Sequence, residues 1–152
     1  MENFNGSDSI NRALERIEQF IIDDEHKVFL FIGRPDIGKS TAVNNLLINK
    51  NINIEIEKEI FQLTNLDKPK ERILSGQAKV YVWQDFDYSD LVFPEVKNIV
   101  KMIESKKLMI TGKLLLIIDE DEVNPSFSKS FGVIVHMNSK EMLDYIKKTI
   151  IG

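Results

Sequence analysis

The 152-residue chain has no cysteine, one tryptophan, two histidines and four prolines. Without cysteine there can be no disulfide, no thiolate metal site and no thiol nucleophile, a usage that suits a reducing compartment. His26 and His136 are too far apart in sequence for a metal-ligand spacing and are expected to be structural or surface groups. Trp83 lies in an apolar run and is expected to pack in a sheet rather than stack on a base. Arginine is scarce too, confined to Arg12, Arg16, Arg34 and Arg72. Apolar runs such as 114–118 fall far short of the roughly 20 residues a spanning helix needs. The opening Met1-Glu2-Asn3-Phe4 lacks a basic region followed by an apolar one, so no secretory signal is read there. A cytoplasmic protein with no membrane partner is the expectation. A basic excess is also missing: the formal net charge is −4, whereas proteins that coat nucleic acid usually carry the opposite sign. The short basic runs at Lys68, Lys70 and Arg72, and at Lys106 and Lys107, read as solvated surface charge. A nucleic-acid partner therefore finds no support in the charge.

What is present is ordinary globular composition, 43% hydrophobic and 29% charged, in a chain long enough for one core. Short β-like runs alternate with helical periodicity. Residues 1–6 look frayed, and Ile10, Leu14, Ile17 and Ile21 then recur at helical spacing, with Asp8 or Ser9 available as N-cap. Strands are predicted at 27–32, 51–57, 79–83, 113–118 and 132–136. Helices are predicted from 39 to 47, from 89 to 105 with Pro94 at a first-turn position or break, and from 139 to 150. The closing helix carries Met142, Tyr145, Ile146 and Thr149 near one face. Pro69 is expected to break the polar stretch before the third strand. No repeat, low-complexity tract or linker divides the chain, so residues 1–152 are read as a single domain, with 1–25 an N-terminal helical segment packed on the core. Apolar strands separated by helices predict a three-layer α/β fold around a mostly parallel sheet of about five strands. Right-handed crossovers then gather the strand C-termini on one edge, where ligands sit in such sheets.

The first predicted strand runs into Gly33-Arg34-Pro35-Asp36-Ile37-Gly38-Lys39-Ser40, which fits G-x-x-x-x-G-K-[ST] without a mismatch. The glycines let the backbone turn so that successive N–H groups form an anion-sized nest, and the following helix adds its positive end. Lys39 is expected to reach the β- and γ-phosphates, Ser40 to ligate Mg²⁺, and Thr41 to support the α-phosphate. The pattern has only four fixed positions, but it stands in the required context of apolar strand before and helix after. Asp36 is an unusual neighbour for phosphates, and its side chain is expected to point outward.

Such a loop needs a carboxylate from a neighbouring strand tip to hold the metal's water shell. Two stretches compete. The run 80–87 (VYVWQDFD) offers Asp85 or Asp87 at the tip of the third strand. The run 114–120 (LLLIIDE) offers Asp119 at the tip of the fourth, with Glu120 beside it as a base for the attacking water. Asp121 and Glu122 read as solvated loop acids.

With this phosphate loop the chain is identified as a P-loop NTPase. Residues 27 to about 148 also resemble the core of AAA+ and viral superfamily 3 helicase ATPases, and the tail Asn124-Pro125, Ser130 to Val135 and the helix 140–147 looks like their post-sensor segment. In those families the acidic strand is the third and the fourth carries a polar sensor. The resemblance implies Asp85 or Asp87 on Mg²⁺ and Asp119 as a sensor-like group; the rival assignment keeps Asp119 on Mg²⁺ with Glu120 as base. It also implies ATP as ligand, hydrolysis coupled to assembly or nucleic-acid processing, and a homo-oligomer in which a neighbour supplies an arginine. Here Arg34 or Arg72 would have to serve, and a surface ion pair is the plainer reading for both. The chain departs from the pattern in having no Glu after Asp85 and no helical lid with its second sensor arginine before Gly152. A nucleotide-binding switch with little hydrolysis is the alternative. A small-molecule kinase is disfavoured by the shortage of arginine. A GTPase is disfavoured because Asn49-Lys50-Asn51-Ile52 comes nearest to a guanine-reading element and lacks its aspartate.

Overall fold

A computed structural model describes residues 1–50, 52–57 and 67–151, without the side chains of Glu57, Asp67, Lys68, Asp85, Ile150 and Ile151. Asn51 and the stretch 58–66 lie outside the described residues, as does the Lys68 side chain of the first basic run. The elements are β1 (Glu2–Asn5), α1 (Ser9–Ile22), β2 (Val28–Gly33), α2 (Lys39–Asn49), β3 (Ile54–Glu57), α3 (Asp67–Ser75), β4 (Val80–Phe86), α4 (Phe93–Glu104), β5 (Lys113–Asp119), a 3₁₀ turn (Pro125–Phe127), β6 (Gly132–His136) and α5 (Ser139–Ile151).

Among the described residues the sheet has six strands in the order β1-β6-β2-β5-β4-β3, and every pairing is parallel. Side chains alternate across it. Phe29 and Phe31 of β2, Leu115 and Ile117 of β5, and Val133 and Val135 of β6 join one apolar layer with Ile10, Ile17 and Phe20 of α1, Val43 and Leu47 of α2, and Tyr145 of α5. Leu30, Ile32, Leu114, Leu116, Tyr81 and Trp83 face the other way, onto Ile73 of α3 and Val96, Ile99, Val100 and Ile103 of α4. Every residue of β2 is buried, as a central parallel strand covered on both faces requires. The fold is thus α/β in three layers, consistent with that of a P-loop NTPase.

Several expectations need correction. Residues 2–5 are not frayed: they form a sixth strand, paired with β6 from Glu2↔Val133 to Asn5↔His136. Its polar sequence hides one inward side chain, Phe4, which packs on the α1 layer with the Arg12 guanidinium 4.9 Å from its ring centre. Arg16 pairs with Glu2 at 2.8 Å and Arg12 donates to the Asn5 carbonyl, so α1 grips the strand it follows. β4 continues through Phe86 rather than stopping at Trp83, with a register irregularity between those residues. α4 begins at Phe93, not Ser89, because Asp87 and Asp90 hold the preceding segment in turns through Ser89 N–H and Val92 N–H. Pro69 sits in the first turn of α3, where its missing N–H costs nothing, and the polar stretch before Asp67 that it was expected to break lies outside the described residues. On α5 the buried face is narrower than predicted, since Ile146 is 39% exposed. Among the described residues no helix is long and apolar enough to cross a membrane.

Candidate phosphate-binding site

β2 ends at Gly33, and packing alone requires glycine there. A Cβ would lie 2.6 Å from Val135 Cγ2 and 3.1 Å from both Ile37 Cδ1 and Lys39 Cδ. The chain then curls outward. Arg34, Pro35 and Asp36 are exposed, while Ile37 is buried in the α1/α2/α5 layer and anchors the loop. Asp36 (φ 61°) and Gly38 (φ 91°) both adopt left-handed backbone, a conformation that Asp tolerates and Gly adopts freely. Gly38 is the N-cap of α2, and the first intrahelical bond runs from Ala42 N–H to Gly38 O at 3.0 Å. The N–H groups before it point out of the helix end, where the dipole is positive.

Lys39 is the first residue of α2 and is 3% exposed. Its ammonium donates to Gly33 O (2.8 Å), Arg34 O (2.6 Å) and Asp119 Oδ1 (2.8 Å). Asp119 comes from the tip of β5, which neighbours β2 and pairs Gly33↔Asp119 in register. A second bond, Glu120 N–H to Gly33 O at 2.9 Å, fixes the two strand tips together. A cleft of about 170 Å³ opens between Asp36, Gly38, Lys39, Ser40, Thr41 and Asp119. That is well below the roughly 300–1,000 Å³ of a whole small-molecule pocket, and matches the phosphate end of a nucleotide rather than all of it.

The other predicted acids lie elsewhere. β5 stands between β2 and β4, so the tip of β4 is one strand further from the loop. Asp87 Oδ1 accepts from Ser89 N–H (2.9 Å) and Ser89 Oγ–H (2.6 Å), turned onto its own loop. The Asp85 side chain lies outside the described residues. Glu120 Oε1 accepts from Tyr88 N–H at 2.9 Å, tying the β5 tip to the loop after β4. Asp121 and Glu122 are exposed.

Of the remaining residues singled out, Arg72 pairs with Glu55 at 2.5 Å and Arg34 is exposed. His26 bonds Asp23 at 2.7 Å and stacks on Phe131, and His136 bonds Asn3 at 2.9 Å. Trp83 is 1% exposed in the α4-facing layer. Two features escaped the sequence reading. One is the Lys39–Asp119 contact, which joins residues 80 apart and depends on the pairing of β2 with β5. The other is Tyr145 of α5, whose Cε1 lies 3.6 Å from where a Gly38 Cβ would be, so that the closing helix backs the loop. The helical periodicity that put Tyr145 on an apolar face was the one available signal for it.

No protein-family model matches the chain, and no curated protein matches its sequence. Among solved structures it is similar to the crystal structure of the DnaC helicase loader, with a TM-score of 0.46 and 17% identity over 92% of this chain and 81% of that one. At that level of likeness the reading of the site rests on the loop itself, on its strand order and on the residues that line its cleft.

Proposed function

We propose that the chain binds Mg²⁺-complexed ATP by its phosphates at residues 33–41 and hydrolyses it, coupling the cycle to assembly or to nucleic-acid processing. The observation that carries this reading is the buried Lys39 ammonium at the N-terminus of α2, where helix dipole and cation add to one positive site. An anion such as phosphate is favoured beside it. Asp36 and Gly38 of the loop, Ser40 and Thr41 of α2, and Asp119 of β5 line the cleft around Lys39.

The donor set suits magnesium. Among the described residues no group of three His, Asp or Glu side chains could cage a metal, and Mg²⁺ characteristically takes one or two protein oxygens and completes its shell with phosphates and water. Ser40 and Asp119 both line the cleft and would hold it; Asp85 on β4 and Asp87 just beyond its end remain the rival donors. The metal's contribution is to neutralise charge on the β- and γ-phosphate oxygens. Lys39 stabilises the charge that develops as water attacks in line, and the loop main chain fixes the phosphates. Glu120 is the general base of this scheme. Phosphate release from ATP by the purified chain tests the proposal: Lys39→Ala is expected to abolish it, and unchanged turnover in that variant refutes the assignment.

One observation favours a second reading, a nucleotide-dependent switch with little hydrolysis. Glu120 is engaged by Tyr88 N–H rather than facing the cleft. Tight ATP binding without phosphate release, accompanied by an ATP-dependent change in oligomer size, selects that reading over the first.

A further inference from the structure

The P-loop lysine is already fully engaged by the protein itself. An ammonium has three N–H donors, and Lys39 directs its donors at three acceptors within 2.6–2.8 Å. A phosphate oxygen can gain this lysine only by taking a donor from one of them. The acceptors are not equal competitors. Gly33 O and Arg34 O are neutral and belong to the loop, and Gly33 O is also held by Glu120 N–H. Asp119 is charged, half-buried at 24% side-chain exposure, and forms part of the cleft wall. All three bonds are charge-assisted, but only the one to Asp119 joins opposite charges and so adds their Coulombic attraction.

We propose that Asp119 acts as a specificity-determining latch that makes the cleft reject metal-free polyphosphates and accept those carrying a divalent cation. The inference rests on the proposed function and names the form of ligand that site selects. A polyanion arriving without a metal must strip Asp119 from Lys39 or share the ammonium with it, and in both cases it lies beside the carboxylate, two negative groups in a partly desolvated cleft. The same carboxylate becomes a favourable neighbour when the phosphates bring a cation. Lys39 therefore passes from carboxylate to phosphate at low cost only in the second case.

Calorimetric titration reads this directly, with ATP and inorganic tripolyphosphate each measured in excess Mg²⁺ and in chelator. Asp119→Asn keeps the shape and an acceptor oxygen while removing the charge. It is expected to tighten metal-free binding about tenfold (about 1.4 kcal/mol) and to shrink the ratio of metal-free to metal-bound Kd accordingly. Asp119→Ala should move the ratio the same way, and thermal melting of both variants establishes that they fold. Asp121→Asn is the control, because Asp121 is an exposed acid two residues past Asp119 and does not line the cleft. The expected change there is under about threefold, as for a screened surface charge. An unchanged ratio in both Asp119 variants overturns the latch, as does an equal shift in Asp121→Asn. If the native chain binds neither ligand in either condition, the proposed function falls and takes the latch with it; binding lost in Lys39→Ala with an Asp119-independent ratio removes the latch alone.

Discussion

Two lysines are buried among the described residues, and they lie at opposite edges of the same sheet: Lys39 beyond the C-terminal end of β2, 3% exposed, and Lys113 at the first position of β5, 8% exposed. Lys113 closes the C-terminal end of α1. Its ammonium donates to the carbonyls of Asp23, the C-cap of that helix, and of His26, and it lies 4.6 Å from the Phe20 ring centre. Helix dipole, carbonyls and aromatic face all favour a cation there. Lys39 sits at the other kind of helix end. The dipole of α2 opposes it, two loop carbonyls and one carboxylate compensate, and a cleft opens beside it. One lysine completes the structure around it. The other concentrates positive potential where an anion can use it, and burial alone would not have told them apart.

The comparison breaks most visibly in stability. Lys113→Met leaves the Asp23 and His26 carbonyls without their donor, and chemical denaturation is expected to show a loss of about 2–3 kcal/mol. Lys39→Ala should cost under about 1 kcal/mol, because removing a cation from a helix N-terminus offsets the lost bonds. An equal loss in both would dissolve the distinction. Next comes the loop itself: Gly38→Ala places a Cβ on left-handed backbone at φ 91°, and about 1–2 kcal/mol of destabilisation is expected, together with weaker ATP binding than in a loop of native curvature.

Smaller effects appear in pH dependence. Burial pushes the Lys113 ammonium below its usual 10.5, with the charge of Asp23 opposing that shift. The unfolded chain then holds this proton more tightly than the folded one, so stability from this group rises as pH climbs through the folded pKa toward 10.5. Denaturation midpoints should show that alkaline limb flattened in Lys113→Met. Asp23 is the smallest case. Its bond from His26, aided by the Glu25 N–H, lowers the carboxyl from 3.8 to about 2. The folded state is therefore favoured above pH 3.8, an advantage lost as pH falls toward 2. Asp23→Asn should flatten acid unfolding across that window, with little change at neutral pH.

How much of this was legible in sequence depended on distance along the chain. The phosphate loop is eight consecutive residues between an apolar strand and a helix, so motif, turn and strand could be read together. The succession of continuously apolar strands and helical segments made the α/β layering legible for the same local reason. β1 was missed because Glu-Asn-Phe-Asn carries one apolar side chain, and its partner β6 lies 131 residues away. The position of Asp119 also required knowing that β5, not β4, neighbours β2. Two acidic strand tips look equivalent in sequence, and only lateral order puts one of them on Lys39. Asp87 and Glu120 carry the right chemistry, but nearby N–H groups hold them, a local competition that residue type does not reveal.

The central claim is that Lys39 marks a nucleotide-phosphate site and Lys113 does not. Calorimetric titration of Mg²⁺·ATP into the native chain, Lys39→Ala and Lys113→Met at one temperature tests it most directly. The account predicts binding weakened by about 100-fold, or about 2.7 kcal/mol, in Lys39→Ala, and a Kd within about twofold of native in folded Lys113→Met. Native affinity in Lys39→Ala, or an equal loss in the folded Lys113 variant, would contradict it.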